Sequence, residues 1–361
     1  MPPLSWLLLL LRKPKEAPLT YLLYRKEKEL TMAVPVPLQK PRNTYDAKDI
    51  VRDFHRELPS DRRYNSSTIL KFVPTTVVSQ DPDRRNPIIF SIPAHTTGGV
   101  YMVQDMVLMV NLVLRKLDTT QIPQHDIVSV SNNVVNSLFK NIYIEINEER
   151  INKKTTPGHH AYKSYVSRLL TFDDEVKQTQ EDMGWASDTP ENFDTMDKRN
   201  NTGFQDRSKW FWDPQAKKDQ EWVYSKKPVQ FVSTVDHDLA SLATGIPPAT
   251  KIEFTFEQTS DEFRILSESA TAKYNLEIQD IAMLLPVRVL ASNLWKDLQL
   301  SMQKRPVTLN IRVMDVQQFT CHAGVKDFDQ RDLWKQIPTK VIVGIVRYNA
   351  FSGKENLNPF K

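Results

Sequence analysis

The chain has 361 residues, 40% of them apolar and 25% charged, enough for one large or two medium domains with real cores and too apolar for general disorder. Nine glycines stand where average usage gives about 25, and Gly98-Gly99 is their only adjacent pair, which excludes glycine-built phosphate loops of the Rossmann or P-loop kind. The net charge of +4 is mixed along the chain, leaving no clustered basic footprint for nucleic acid, and the single Cys321 excludes an intrachain disulfide.

Residues 1–62 are rich in Lys, Arg, Glu and Pro without periodicity and read as a disordered or mispredicted leader. Its apolar run, residues 4–11, is far shorter than the roughly 20 residues that span a bilayer. Arg12 and Lys13 follow that run instead of preceding it, which is the wrong order for a signal peptide. Order is expected to begin near Ser66, with short strands in STILKFVPTTVV and in NPIIFSIPA separated by the polar turn SQDPDRRN. Residues 101–116 are apolar on both sides of a strand and read as one fully buried strand. Another strand is expected over residues 126–130.

At NIYIEI, Ile142, Ile144 and Ile146 alternate with Tyr143, Glu145 and Asn147, the period of a strand with one wet face. After the polar turn INKKTTPG the spacing becomes Tyr162, Tyr165, Val166, Leu169, Leu170, an apolar stripe on a helix over residues 161–170. Residues 173–228 read as a polar, surface-decorating insertion. PVQFVSTV and ATKIEFTFEQ return to strands, with Ile252, Phe254 and Phe256 facing in. LEIQDIAMLLPVRVL, VTLNIRVMDVQQF and TKVIVGIVRY read as further strands, and SNLWKDLQLSMQK as a short helix. Many strands, long loops and few helices indicate β-sandwiches or jelly rolls.

No catalytic constellation emerges. His159-His160 follow Pro157-Gly158 in a turn, lack the three or four convergent ligands that zinc needs, and read as surface histidines. Cys321-His322 are neighbours on a strand and so point to opposite faces, which rules out a direct thiolate–imidazole pair. Glu145, Glu148 and Glu149 read as solvated charges, and the serine of FSGK lacks a nucleophile elbow. Trp210, Trp212 and Trp222, interleaved with lysines, could stack bases or sugars. The favoured reading is that they pin the long loop onto the sandwich or onto a neighbouring subunit. No cofactor, metal site, specific nucleic-acid site or membrane span is expected.

NSLFKNIYIEINEERI followed by AYKSYVSRLLTFDDEVKQ resembles the major capsid proteins of Polinton/Maverick elements and adintoviruses, which are hexon-like in fold. Asn136, Ser137, Leu138, Phe139, Asn147, Tyr162, Tyr165, Leu169 and Leu170 match the family pattern. Asp188-Thr189, the set Asn201, Gly203 and Arg207, and VDHDLASLATGIPPATKIEFTFEQTSDEFRIL match further on. IPTKVIVGIVRYNAFSGKENLNPF matches with Pro338, Gly353, Asn358, Pro359 and Phe360 in register. The resemblance implies a double jelly roll, mainly β, whose second sandwich is incomplete after Phe360. It divides the chain into the leader 1–62, a first jelly roll 63–268 containing the insertion 173–228, and the start of a second at 269–361. It implies homotrimeric capsomers in an icosahedral shell, with other capsid proteins such as a penton-like single jelly roll as partners. It also implies a location in the virion or inside the cell, nuclear or cytoplasmic, without secretion, and an integrated, virus-like transposon as origin. The alternatives are a lectin-like or other binding module using the tryptophan loop and, lacking any metal cluster, an enzyme on a jelly-roll scaffold.

Overall fold

Eight strands of this chain pair as one long hairpin folded over on itself. The computed structural model describes residues 63–361 apart from 80, 82–83, 119–120, 124–125, 152–158, 172–182, 197–199, 219–220, 243, 270–272, 321–337 and 352–356. The leader 1–62, Cys321-His322 and Gly353 therefore lie outside the described residues.

The first, second, third and fourth strands of the hairpin are β1 (Tyr64–Phe72), β2 (Ile88–Ile92), β4 (Val107–Lys116) and β6 (Phe139–Ile146). The returning four are β7 (Glu149–Arg150), β10 (Val229–Thr234), β11 (Ile252–Gln258) and β13 (Tyr274–Leu290). First pairs with eighth, second with seventh, third with sixth and fourth with fifth, all antiparallel. Successive pairs alternate between two sheets, ordered β1-β13-β4-β10 and β2-β11-β6-β7, with β3 (Gly99–Tyr101) on the far part of β13. Such a rolled-up hairpin is a jelly roll. Two smaller pairs, β5 (Val128–Val130) with β12 (Ile265–Ser267) and β8 (Trp212–Lys218) with β9 (Glu221–Tyr224), complete the described strands.

Period-two alternation builds the core. Ile252, Phe254 and Phe256 of β11 are fully buried, as are Ile88, Phe90 and Ile92 of β2. Facing them, β4 contributes Leu108, Val110 and Leu112, and β13 contributes Ile281, Met283, Leu285 and Val287. Phe90 meets Phe256 edge-on at 5.7 Å, the geometry aromatic rings favour. Each such buried side chain stabilises the fold by about 1.5–3 kcal/mol.

In β13 the buried positions change phase, from Leu276 and Ile278 to Ile281 and Met283. The ladder to β4 skips one residue between Ile278 and Asp280, a β-bulge that turns the second half so that its apolar side still faces the core. Pro286 stands where β13 exchanges β4 for β3, and its carbonyl accepts the Met102 amide.

Three expectations from the sequence need correction. The boundary at residue 268 cuts the first sandwich, because β13 is its eighth strand and is held on both sides by β1 and β4. Residues 101–116 are not one strand: a 3-10 turn, Val103–Asp105, separates β3 from β4. Within 173–228 lie a helix and the hairpin β8–β9, so this insertion has structure of its own. Two expected strands also differ: residues 306–320 and 338–347 join no ladder among the described residues. Strand geometry persists only where a neighbour takes up the backbone groups. Several of their apolar side chains, Val307, Val313, Val341 and Ile345 among them, are exposed.

The helices are α1 (Val134–Ser137), α2 (His160–Thr171), α3 (Thr202–Lys209), α4 (Asp261–Arg264), α5 (Ser292–Lys304) and α6 (Tyr348–Phe351). Helix α2 confirms the change of period, but its buried face is rotated from the expected one. Tyr162 and Tyr165 are buried, whereas Leu169 and Leu170 are more than 40% exposed. Arg168 turns inward in their place, because its guanidinium donates to Ser233 Oγ at 2.8 Å and to the Thr234 carbonyl at 2.7 Å. Helix α5 forms where expected and buries none of its residues.

Candidate functional site

Helix α2 organises two clusters, one on its aromatic face and one beside its first turn. On the aromatic face Tyr165 stacks on Phe360 at 4.1 Å and on Trp185 at 5.1 Å. Tyr162 stacks on Phe351 at 5.4 Å and meets Phe263 edge-on at 5.7 Å. Burial pushes the Tyr165 hydroxyl up to about 12 and raises Tyr162 further, so both phenols stay neutral and neither serves as an acid or base near neutral pH.

A polar network anchors the same region. Arg207, fully buried, donates from Nε to the Val130 carbonyl, from one terminal nitrogen to the Ala186 carbonyl, and from the other to Asp188 at 2.6 Å. The Asp188 carboxylate also accepts from the side-chain amides of Asn201, at 2.9 Å, and Asn358, at 2.8 Å. Asn201 also caps α3, its side-chain oxygen accepting the Phe204 amide at 3.2 Å. Gly203 is required by a close approach, because a Cβ there would stand 2.2 Å from the Ser187 carbonyl oxygen. Gly203→Ala will therefore destabilise the fold by about 1–3 kcal/mol, read as a lower urea midpoint at unchanged m value.

Most of the described motif residues fall into three places, with Leu169 and Leu170 left on the exposed side of α2. Asp188, Asn201, Gly203, Arg207, Tyr162, Tyr165, Asn358 and Phe360 converge around α2 and α3, with Pro359 buried beside them. Asn136 lies fully buried under α2, donating to the Thr234 carbonyl at 3.2 Å, and Leu138 and Phe139 enter the sandwich core. Asn147 stands apart, in the β6–β7 turn at φ 49°, a left-handed conformation that asparagine tolerates. Its side-chain oxygen accepts the Lys251 amide at 2.9 Å.

The second cluster overturns the reading of His159-His160 as surface histidines: both are buried. His160 lies against Asn136, and with His159, Lys163, Asp236, His237 and Asp238 it lines one small cavity. Lys163 donates to Asp238 at 2.7 Å in an almost fully buried ion pair. Burial lowers His160 to about 3 and His237 to about 4, with the Lys163 charge adding to both shifts. Desolvation raises Asp236 above its ordinary value. Despite this mixture of imidazoles and carboxylates, no group of three or more His, Cys, Asp or Glu converges for a metal among the described residues. Nothing in the sequence pointed to this cluster, because His237 and Asp238 are brought to α2 only by the fold.

Glu148 is exposed in the β6–β7 turn, Glu149 is exposed at the start of β7, and Glu145 is half-buried on the outer face of β6. Trp210 and Trp212 pack half-buried against the core, Trp210 edge-on to Phe231 at 5.3 Å. Trp222 is in β9, and its side chain lies outside the described residues.

No protein-family model and no curated protein matches the chain. Solved structures are similar in part. A cryo-EM structure of the Sputnik virophage covers 72% of this chain and 54% of its own, at 12% identity and a TM-score of 0.46. The mavirus major capsid protein covers 79% of this chain and 54% of its own, at 11% identity and a TM-score of 0.36. The Faustovirus major capsid protein covers 70% of this chain and 59% of its own, at 10% identity and a TM-score of 0.33. The chain spans a little over half the length of these structures. Among the described residues no helix is long and apolar enough to cross a membrane.

Proposed function

We propose that the chain is a structural capsid protein, a double jelly-roll subunit of the Polinton/Maverick and adintovirus kind. Three copies form a capsomer, and capsomers tile an icosahedral shell with partners such as a penton-like single jelly roll. The observation that carries this reading is the strand pairing, first with eighth through fourth with fifth, which builds a jelly roll from the region that bears the sequence resemblance. Support also comes from the motif residues, most of which serve as framework: they cap, stack and bridge, and among the described residues none of them presents a reactive group to a substrate cleft.

Residues 306–316 and 338–347 would belong to the second sandwich. The insertion 173–228, with Trp210, Trp212 and Trp222, would carry contacts between subunits. The virion is the location that follows, and an integrated, virus-like transposon the origin. Light scattering on the purified chain after size exclusion tests the reading. The expected result is a mass three times that of the chain, and a strict monomer at high concentration would overturn it.

A further inference from the structure

Residues 306–316 run beside the 3-10 turn Asp238–Ser241 and are tied to it through two alternate amides. Arg312 N donates to Ser241 Oγ at 3.1 Å and Met314 N to Asp238 Oδ1 at 3.4 Å. The same oxygen of Asp238 accepts the Lys163 ammonium. Thus one buried carboxylate holds both helix α2 and the segment 306–316.

The cavity at this junction measures about 40 Å3, room for water but not for a metabolite. Met314 and Val316 close one side of it and bring no titratable side chain. From α2 it is faced by His159, His160 and Lys163, with Arg168 one turn deeper. The chain after β10 contributes Asp236, His237 and Asp238, and β6 contributes Asn141 and Tyr143, both bonded to Glu257 of β11.

With the imidazoles neutral, the charges balance: Lys163 and Arg168 against Asp236 and Asp238. His237 Nδ1 is buried with no hydrogen-bond partner among the described residues. A proton taken up there would add a cation next to Lys163 and inside a site that desolvates charge; Asp238 favours that cation but already serves Lys163, so burial and the Lys163 charge prevail. The least costly relief is to open the side closed by Met314 and Val316 and admit water.

We propose that His160, His237 and the Lys163–Asp238 pair form an acid-sensitive latch, which holds residues 306–316 on the sandwich at neutral pH and releases them on protonation. The latch uses groups that the capsid reading leaves without a role, and it stands or falls independently of oligomeric state.

Hydrogen–deuterium exchange, corrected for the intrinsic pH dependence of the amide rates, tests it. Between pH 7.5 and pH 4.5, peptides covering 306–316 should lose protection at least tenfold more than peptides covering β4 and β11, whose loss follows only the falling stability of the whole sandwich. Combining His160→Asn with His237→Gln should abolish that selective loss. Equal protection at both pH values, or the same loss in the double variant, overturns the latch. Should the double variant not fold, Lys163→Gln decides instead. Removing this neighbouring cation eases protonation of both imidazoles, so release must move to higher pH. An unchanged or lower release pH would sink the proposal.

Discussion

Arg207→Leu will lower the unfolding free energy by about 3–5 kcal/mol, the range for breaking a buried ion pair from one side. The side chains of Arg207 and Asp188 are both completely shielded from solvent. Leucine would leave the Asp188 carboxylate with two neutral amide donors, Asn201 and Asn358, and no counter-charge. It would also leave the Val130 and Ala186 carbonyls without their donors. Unpaired buried acceptors cost about 1–3 kcal/mol each, so the loss of hydrogen bonds alone approaches the expected total. Lysine will not rescue the site, because a single ammonium cannot reach three acceptors fixed around a planar fork. Asp188→Asn should cost less, since the amide keeps an oxygen for its donors. Urea unfolding measures all three variants, and a loss below about 1 kcal/mol for Arg207→Leu would show that this network is not what ties α3 to β5.

The network joins residues close in sequence to residues far apart in it, and only the first kind can leave a local signal. Asn201, Gly203 and Arg207 are grouped by the family resemblance alone, and their spacing does not by itself show the short helix that makes them a cap, a close approach and an inward side chain. Their partner Asn358 is 170 residues from Asp188, and no periodicity shows such a contact. The strands followed the same division. β11 announces itself by strict alternation, and α2 by its change of period. The resemblance places the eighth strand in the wrong sandwich, because its pairing with Tyr64–Phe72 is not local. Nothing local marks Arg168 as buried, and His160 reads as a surface residue on the ordinary polarity of its side chain. Both are held inside by acceptors from distant parts of the chain, the Thr234 carbonyl for one and Asn136 for the other.

Acidification below the ordinary histidine range will destabilise the whole sandwich, and the buried imidazoles fix the sign: burial lowers His159 as well as His160 and His237, the last two most strongly. In the unfolded chain His160 and His237 take up protons near pH 6.5, whereas in the fold they stay neutral until about pH 3 and 4. Above pH 6.5 both states are neutral and these groups give no pH dependence. As the pH falls from 6.5 toward 4 only the unfolded state gains protons, so stability is lost, by about 1.4 kcal/mol per pH unit for each histidine. Between pH 6.5 and pH 5 the pair would remove on the order of 4 kcal/mol, a large share of the 5–15 kcal/mol typical of a domain. Asp236 acts in the opposite direction. Its raised pKa lets the fold take up a proton before the unfolded chain does, which offsets part of the loss near the lower end of the window. Urea midpoints measured from pH 7.5 to pH 4.5 should decline at constant m value, and His237→Gln should remove about half of the slope above pH 5. A midpoint that stays flat from pH 6.5 to pH 5 would mean that the two imidazoles are solvated in the fold, and that the cavity beside α2 already admits enough water to carry their charge.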